Sequence, residues 1–243
     1  MKKYILFFSI LALFSCQNDC LESSGEIIEQ EIETPAFDKI IVGYGVQLFI
    51  KESNTQQVII KAGKNRLEHI HITNDNGILH LGADPICMLS NSFTPAKAYI
   101  SSPTISSIRN ASEYCVESVG VLHYPELTLL VEDDESNYLN VGDFKLQVAN
   151  EKIHVVSNGI ANCYLSGTTE QLILGYYNGI GRFEGKELIA RKVDVLHRAE
   201  NTLKVYPVER LTGDIYSIGN LVSYHHPSVV DIREHYEGKL IIY

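Results

Sequence analysis

The 243-residue chain has no tryptophan, only two methionines, five cysteines and seven prolines, and its 20 Lys+Arg are outnumbered by 30 Asp+Glu, for a formal net charge of -10. Without an indole it lacks the ring platform of many sugar-binding sites, although 14 Tyr and 8 Phe supply aromatic bulk for a core. An acidic chain with no local block of Lys/Arg has no electrostatic footprint for phosphate backbones, which excludes nucleic-acid binding. No CxxC or CxxH spacing occurs, so neither a zinc site nor any other metal or cofactor is expected. No helical apolar spacing persists beyond the N-terminal segment, and no apolar run is long enough to span a bilayer.

What is present begins at the N-terminus. Lys2 and Lys3 precede an apolar run from Tyr4 to Phe14, followed by Leu13-Phe14-Ser15-Cys16. A short positive end, an apolar stretch and a small-residue cut site predict a secretion signal over residues 1–15. The Leu-x-Ser-Cys ending resembles the lipobox of bacterial lipoproteins, which implies lipidation of Cys16 (acyl groups such as palmitate) and anchoring in a membrane. Each buried CH₂ of such chains contributes roughly 0.8 kcal/mol, so two or three chains hold firmly.

Residues 16–35 contain no basic residue but carry Asp19, Glu22, Glu26, Glu29, Glu31 and Glu33. Such a stretch is expected to stay extended as an acidic tether, with Ile27, Ile28 and Ile32 leaving open a short helix or a first strand. The acidic residues after Cys16 resemble the surface-export signals of Bacteroidetes lipoproteins. That resemblance implies an outer-membrane lipoprotein displayed at the cell surface, the alternative being one that faces the periplasm.

From Phe37 onward β-branched runs alternate with Gly, Asn and Asp, as in Phe37 to Glu52, Gln57 to Ala62 and Ile78 to Gly82, which predicts an all-β domain over residues 36–243. A repeat then emerges. Ala111, Glu135, Gly159, Gly179, Ala199 and Gly219 are spaced by 24, 24, 20, 20 and 20 residues. Apolar columns flank them: Ile105, Leu129, Ile153, Ile173 and Val193 stand six positions before, and Cys115, Leu139, Cys163, Phe183 and Leu203 four after. Alternating apolar columns joined at small-residue corners predict a β-solenoid with coils of 20 to 24 residues. At roughly 4.8 Å per rung the six coils would make a rod about 25 to 30 Å long. Residues 36–96 are expected to form an N-terminal β cap or further rungs, residues 97–243 the repeated coils, with corners at Ala111, Gly159, Gly179, Ala199 and Gly219.

Three segments carry a family resemblance: Phe37 to Ile50 (FDKIIVGYGVQLFI), Asn76 to Leu81 (NGILHL) and Gly219 to Val230 (GNLVSYHHPSVV). They resemble the auto-transporter adhesin, head GIN domain family (DUF2807), over about residues 36 to 235. The resemblance implies a right-handed parallel β-helix, a Bacteroidetes cell-envelope protein and an adhesin-like role, and it carries over no catalytic residue. The family's Ser-Gly-Ala-Ser-like corners are replaced here by Arg109-Asn110-Ala111-Ser112, Ser157-Asn158-Gly159-Ile160 and Tyr177-Asn178-Gly179-Ile180.

The candidate sites are few. Two positions before each corner stand Arg109, Asp133, Ser157, Tyr177, His197 and Ser217, a mixed face that could bind a glycan through hydroxyls and rings but builds no acid/base pair. Asp133-Asp134-Glu135 could offer oxygens to Ca²⁺ but reads better as a solvated turn. His225 and His226 are neighbours on a strand and point to opposite sides, against one shared ion. Tyr138, Tyr164, Tyr176, Tyr177 and Tyr224 could form an aromatic strip. In the repeat, Cys115 and Cys163 lie two rungs apart, about 9 to 10 Å and beyond the roughly 7 Å reach of a disulfide, so both are expected as small buried hydrophobes; Cys20 and Cys87 stay unassigned. The favoured function is a non-enzymatic, lipid-anchored surface module for adhesion or ligand binding, with a glycan, host molecule or envelope protein as partner. Alternatives are a β-helical polysaccharide-degrading enzyme, by analogy of fold alone, and a self-assembling structural protein.

Overall fold

The computed structural model describes residues 23–85, 94–132 and 138–243. Successive side chains of a strand face opposite sides, so an alternating sequence acquires one apolar face. In β2 (Lys39–Val42) and β3 (Val46–Glu52) that face is Ile40, Val42, Val46, Leu48 and Ile50, all buried. The same alternation runs through β10 (Glu126–Val131) and the long strands β11 (Phe144–Ser157), β12 (Cys163–Tyr176), β13 (Phe183–His197) and β14 (Leu203–Ile215).

The fold is all-β; the described residues form a curled, mixed sheet of 17 strands. Its main body is a ladder of parallel rungs. β2 pairs with β8 (Ser107–Asn110), β8 with β10, β10 with β11, and then β12, β13 and β14 follow in turn. β14 finally divides between β15 (Leu221–Ser223) and β16 (Val229–Glu234), and β15 pairs with β17 (Leu240–Ile242). On the other limb of the curl β3 lies between β7 (Ala96–Ser102) and β9 (Val116–Leu122), and β9 pairs with β11.

The N-terminal end is antiparallel. β4 (Gln57–Gly63) pairs with β7, and β5 (Ile70–Asp75) forms a hairpin with β6 (Ile78–Ala83). The segment expected to remain a tether contributes β1 (Ile27–Glu31), paired antiparallel with β4. Its acidic residues are accommodated because Lys61 ion-pairs with Glu29 at 2.6 Å and Gln57 donates to Glu31 at 3.0 Å, while Ile32 packs against the core. The folded unit therefore begins before Pro35.

The even repeat is not kept. One inward column runs Ile108, Leu129, Val155, Leu174, Val195, Gly213 and Ile232, with steps of 21, 26, 19, 21, 18 and 19 residues. Its neighbour runs Leu127, Ile153, Leu172, Val193 and Leu211, so Leu172 occupies the place that even spacing assigned to Ile173. The column expected through Cys115 and Leu139 runs instead through Val116, Phe144, Cys163, Phe183, Leu203 and Leu221. Uneven coil lengths cause the drift: β11 and β12 pair in one unbroken register, Phe144 with Cys163 through Ser157 with Tyr176, while β-bulges shift the neighbouring ladders between Lys145 and Gln147, between Tyr164 and Ser166, and between Glu184 and Ile189. An extra residue in one strand displaces every later residue by one, which in a strand means the opposite face.

Candidate functional site

The bulges also shape the surface. They fall at one bend of consecutive strands, and on the outer side of that bend lies a cleft of about 680 Å³ lined from β9, β11, β12 and β13. A row of outward side chains crosses it, Glu117, Lys145, Tyr164 and Glu184, one per rung, ending on Lys204 beyond the cleft. Tyr164 is 41% exposed and sits between Lys145 and Glu184. Gln147, Ser166, Lys186 and Glu187 complete the polar wall. Glu117 accepts from Gln47 at 3.2 Å, and Glu184 holds Lys204 at 2.9 Å. An exposed ring with amide, hydroxyl, carboxylate and ammonium groups around it can stack on an apolar ligand face while hydrogen-bonding its polar edge.

The mixed face expected at Arg109, Asp133, Ser157, Tyr177 and His197 is not one surface. Ser157 and His197 point inward, are 1% and 0% exposed, and stack with Tyr176 rather than Tyr177. Arg109 belongs to the adjacent column with Leu130, Val156 and Gly175. Its guanidinium donates to the Glu132 carbonyl at 3.1 Å, pairs with the Glu132 carboxylate at 3.2 Å and lies over the Tyr138 ring. The reason is again the uneven register: Ser157 pairs with Tyr176, so a face drawn 20 residues apart lands on Tyr177 and on the opposite side. Asp133, Asp134, Glu135, Cys16, Cys20 and Cys87 lie outside the described residues.

His197 is the most unusual buried group. Among the described residues neither of its ring nitrogens nor the Ser157 hydroxyl has a hydrogen-bond partner. Burial disfavours the imidazolium and lowers the His197 pKa to about 4. Tyr176 beside it donates to the Arg182 carbonyl at 3.1 Å, and burial holds its phenol well above the ordinary range.

At the corners Ala111, Gly159, Ala199 and Gly219 are buried or nearly so, and Gly179 is half-buried. Gly179 has a φ of +88°, and a Cβ there would overlap the Gly159 carbonyl oxygen. Gly219 abuts the His197 ring, with a Cβ there 2.8 Å from Cε1.

Tyr177 belongs to an outer strip that even spacing did not reveal. The backbone N–H groups of Tyr177, Arg198, Tyr216 and His235 make equivalent rung-to-rung bonds to Ser157, Tyr176, His197 and Ile215. Arg198 lies 4.9 Å over the Tyr216 ring, and Tyr216 stacks on His235 at 4.1 Å. The shift from Tyr177 to Arg198 is 21 residues and to Tyr216 a further 18, which hides the strip from a constant-period search. His225 stacks on Tyr206 and contacts the Pro207 carbonyl, whereas His226 contacts that of Pro227. Tyr224 stacks on Tyr243.

Cys115 and Cys163 are free thiols. Cys163 is buried, but Cys115 is only half-buried, and burial still pushes its pKa up to about 12. Neither is a nucleophile at neutral pH. Among the described residues no three His, Cys, Asp or Glu side chains gather as a metal site, and no helix is long and apolar enough to cross a membrane.

Residues 36–227 match the family described as "Putative auto-transporter adhesin, head GIN domain" (DUF2807), and the chain belongs to that family. Among solved structures it is similar to a protein from Bacteroides fragilis titled a putative adhesin, with a TM-score of 0.79 at 19% identity, covering 90% of this chain and 97% of that one. It is also similar to a protein from Parabacteroides distasonis titled a putative lipid binding protein, with a TM-score of 0.62 at 12% identity, covering 90% and 98%. A third, titled a putative adhesin and from Parabacteroides merdae, has a TM-score of 0.55 at 12% identity, covering 91% and 98%. At these identities the likeness is one of fold. No curated protein matches the chain.

Proposed function

We propose that this chain is a non-enzymatic cell-envelope module, anchored through lipid on Cys16 at the outer membrane and displayed at the cell surface, that binds a ligand in the cleft around Tyr164. In this reading its rungs wind as a right-handed parallel β-helix that carries the cleft away from the membrane. The observation that carries it is the cleft itself: bulges in consecutive ladders open a concavity at one bend and leave Tyr164 exposed among Lys145, Gln147, Glu184 and Lys186. Rigid strands hold those side chains at fixed spacing, which favours recognition of an extended ligand with a repeating polar edge, such as a glycan. The adhesin titles of similar structures agree with a binding role.

Titration of the purified chain with a panel of bacterial and host oligosaccharides, recording both binding and newly formed reducing or unsaturated ends, tests the reading. Saturable binding without new ends is expected, and Tyr164→Ala should weaken it tenfold or more, about 1.4 kcal/mol, with the melting temperature unchanged. New chain ends would show an enzyme instead. Binding that ignores Tyr164→Ala would remove the cleft from the account.

A further inference from the structure

A second concavity, of about 520 Å³, lies on the outer face of a different part of the ladder, where β12, β13, β14 and β16 run side by side. Its wall is almost wholly polar and has a charge pattern that folding alone does not favour. Lys192 on β13 and Arg210 on β14 are directly opposed cross-strand neighbours, both exposed and both facing the cleft. Like charges opposed on adjacent strands destabilise a sheet. Elsewhere the outer face pairs its charges rung to rung, as Lys152 with Glu126 at 3.5 Å, Lys204 with Glu184 at 2.9 Å and Arg233 with Asp214 at 2.6 Å. Lys192 and Arg210 have no such carboxylate among the described residues.

Two carboxylates, Asp194 and Asp231, line the same cleft. Asp194 accepts hydrogen bonds from Gln171 at 3.0 Å and from the Thr212 hydroxyl, both neutral donors. Asp231 stands across Thr212 on β16, in the Asp194 column, two positions along the strands from the Lys192 and Arg210 column. A two-residue step is roughly 6.7 Å, which leaves the column of Gln171, Lys192 and Arg210 as a cationic stripe at the edge of the cleft.

We propose that Lys192 and Arg210 form a seat for a tetrahedral oxyanion, the phosphate or sulfate ester of a larger envelope or host ligand, independent of the cleft around Tyr164. The Arg210 guanidinium offers a planar fork that matches two oxygens of such a group, and the Lys192 ammonium offers a mobile point charge to a third. In a chain of net charge -10 a bound anion is held by these two local cations and not by the overall field, so binding weakens as salt rises.

The test is equilibrium titration of the purified full chain with three probes: inorganic phosphate, a sulfated glycosaminoglycan disaccharide, and phosphatidylcholine vesicles with and without phosphatidylglycerol. Each is repeated with the double variant Lys192→Gln/Arg210→Gln and with a control pair, Lys39→Gln/Lys51→Gln, that removes the same charge from other strands. The expected result is saturable oxyanion binding that the first pair weakens at least tenfold and the control pair less than twofold. Vesicle binding that inorganic phosphate displaces assigns the ester to a lipid headgroup, and disaccharide binding without vesicle binding assigns it to a saccharide. Lys192→Gln alone should leave the melting temperature unchanged or raised, because it relieves an opposed like-charge pair. No saturable binding of any probe, equal losses in both pairs, or a lower melting temperature with unchanged binding would each overturn the proposal.

Discussion

At the scale of single residues, two positions concentrate the fold's sensitivity. Gly179 combines a positive φ with a backbone approach that leaves no room for a Cβ, so Gly179→Val adds dihedral strain to a steric clash. The expected loss is about 2 to 4 kcal/mol, read as a lower urea midpoint, whereas Tyr177→Ala on the exposed strip beside it should cost less than about 1 kcal/mol. His197 predicts a pH dependence. Its folded pKa of about 4 lies below the ordinary 6.5, so the unfolded chain binds the proton more readily than the folded one. Its contribution is fully present above about pH 6.5 and is lost as pH falls towards 4, to a total of about 3 kcal/mol. His154, lowered by partial burial, acts with the same sign. The carboxylates of Asp84, Asp214 and Glu234, held low by His71, by His235 and Arg233, and by the Leu240 amide with Lys239, contribute stability that disappears only at still lower pH. Urea midpoints of wild type and His197→Phe between pH 7 and 4 check the assignment, and equal slopes in the two proteins would refute it.

At the scale of elements, strand register decides the packing and the bulges shape the surface. In β12 the inward side chains are Leu172, Leu174 and Tyr176, all buried, while Ile173 faces outward and is half-buried. Leu174→Ala should therefore cost about 2 to 5 kcal/mol through a cavity and lost burial, and Ile173→Ala under about 1 kcal/mol. A constant 20-residue repeat requires the reverse for Ile173, so comparing the two melting temperatures separates the registers. The same irregularities account for the cleft, because a strand that gains a residue bends and twists locally and re-aims the side chains beside it.

At the scale of the molecule, an outermost strand at each end of the sheet carries charge, while β17, at the same end as β16, is the apolar Leu240–Ile242. β1 is the outermost strand at the N-terminal end, presenting Glu29 and Glu31, and β16 at the other end presents Asp231, Arg233 and Glu234. An exposed edge is a template for pairing with another chain unless charge repels it. Neutralising β1 with Glu29→Gln and Glu31→Gln is expected to raise the association state in sedimentation velocity while the far-ultraviolet spectrum stays that of the wild type. A monomer at every concentration would show that β1 is guarded by something other than its charge.

Much of this architecture was legible in the chain. Alternation of apolar and polar residues is a local property, so the all-β class and the resemblance to the head GIN family could be read directly from Phe37 onward. The shared column of Cys163, Phe183 and Leu203 was legible for the same reason. Where Ser157, Tyr177 and His197 point was not, because register is fixed by pairing with residues some 20 positions away and a departure of one residue from even spacing exchanges inside for outside. The cleft around Tyr164 and the opposed Lys192 and Arg210 belong to that second category. They exist only once separate rungs are laid side by side, at a register that tertiary pairing alone determines.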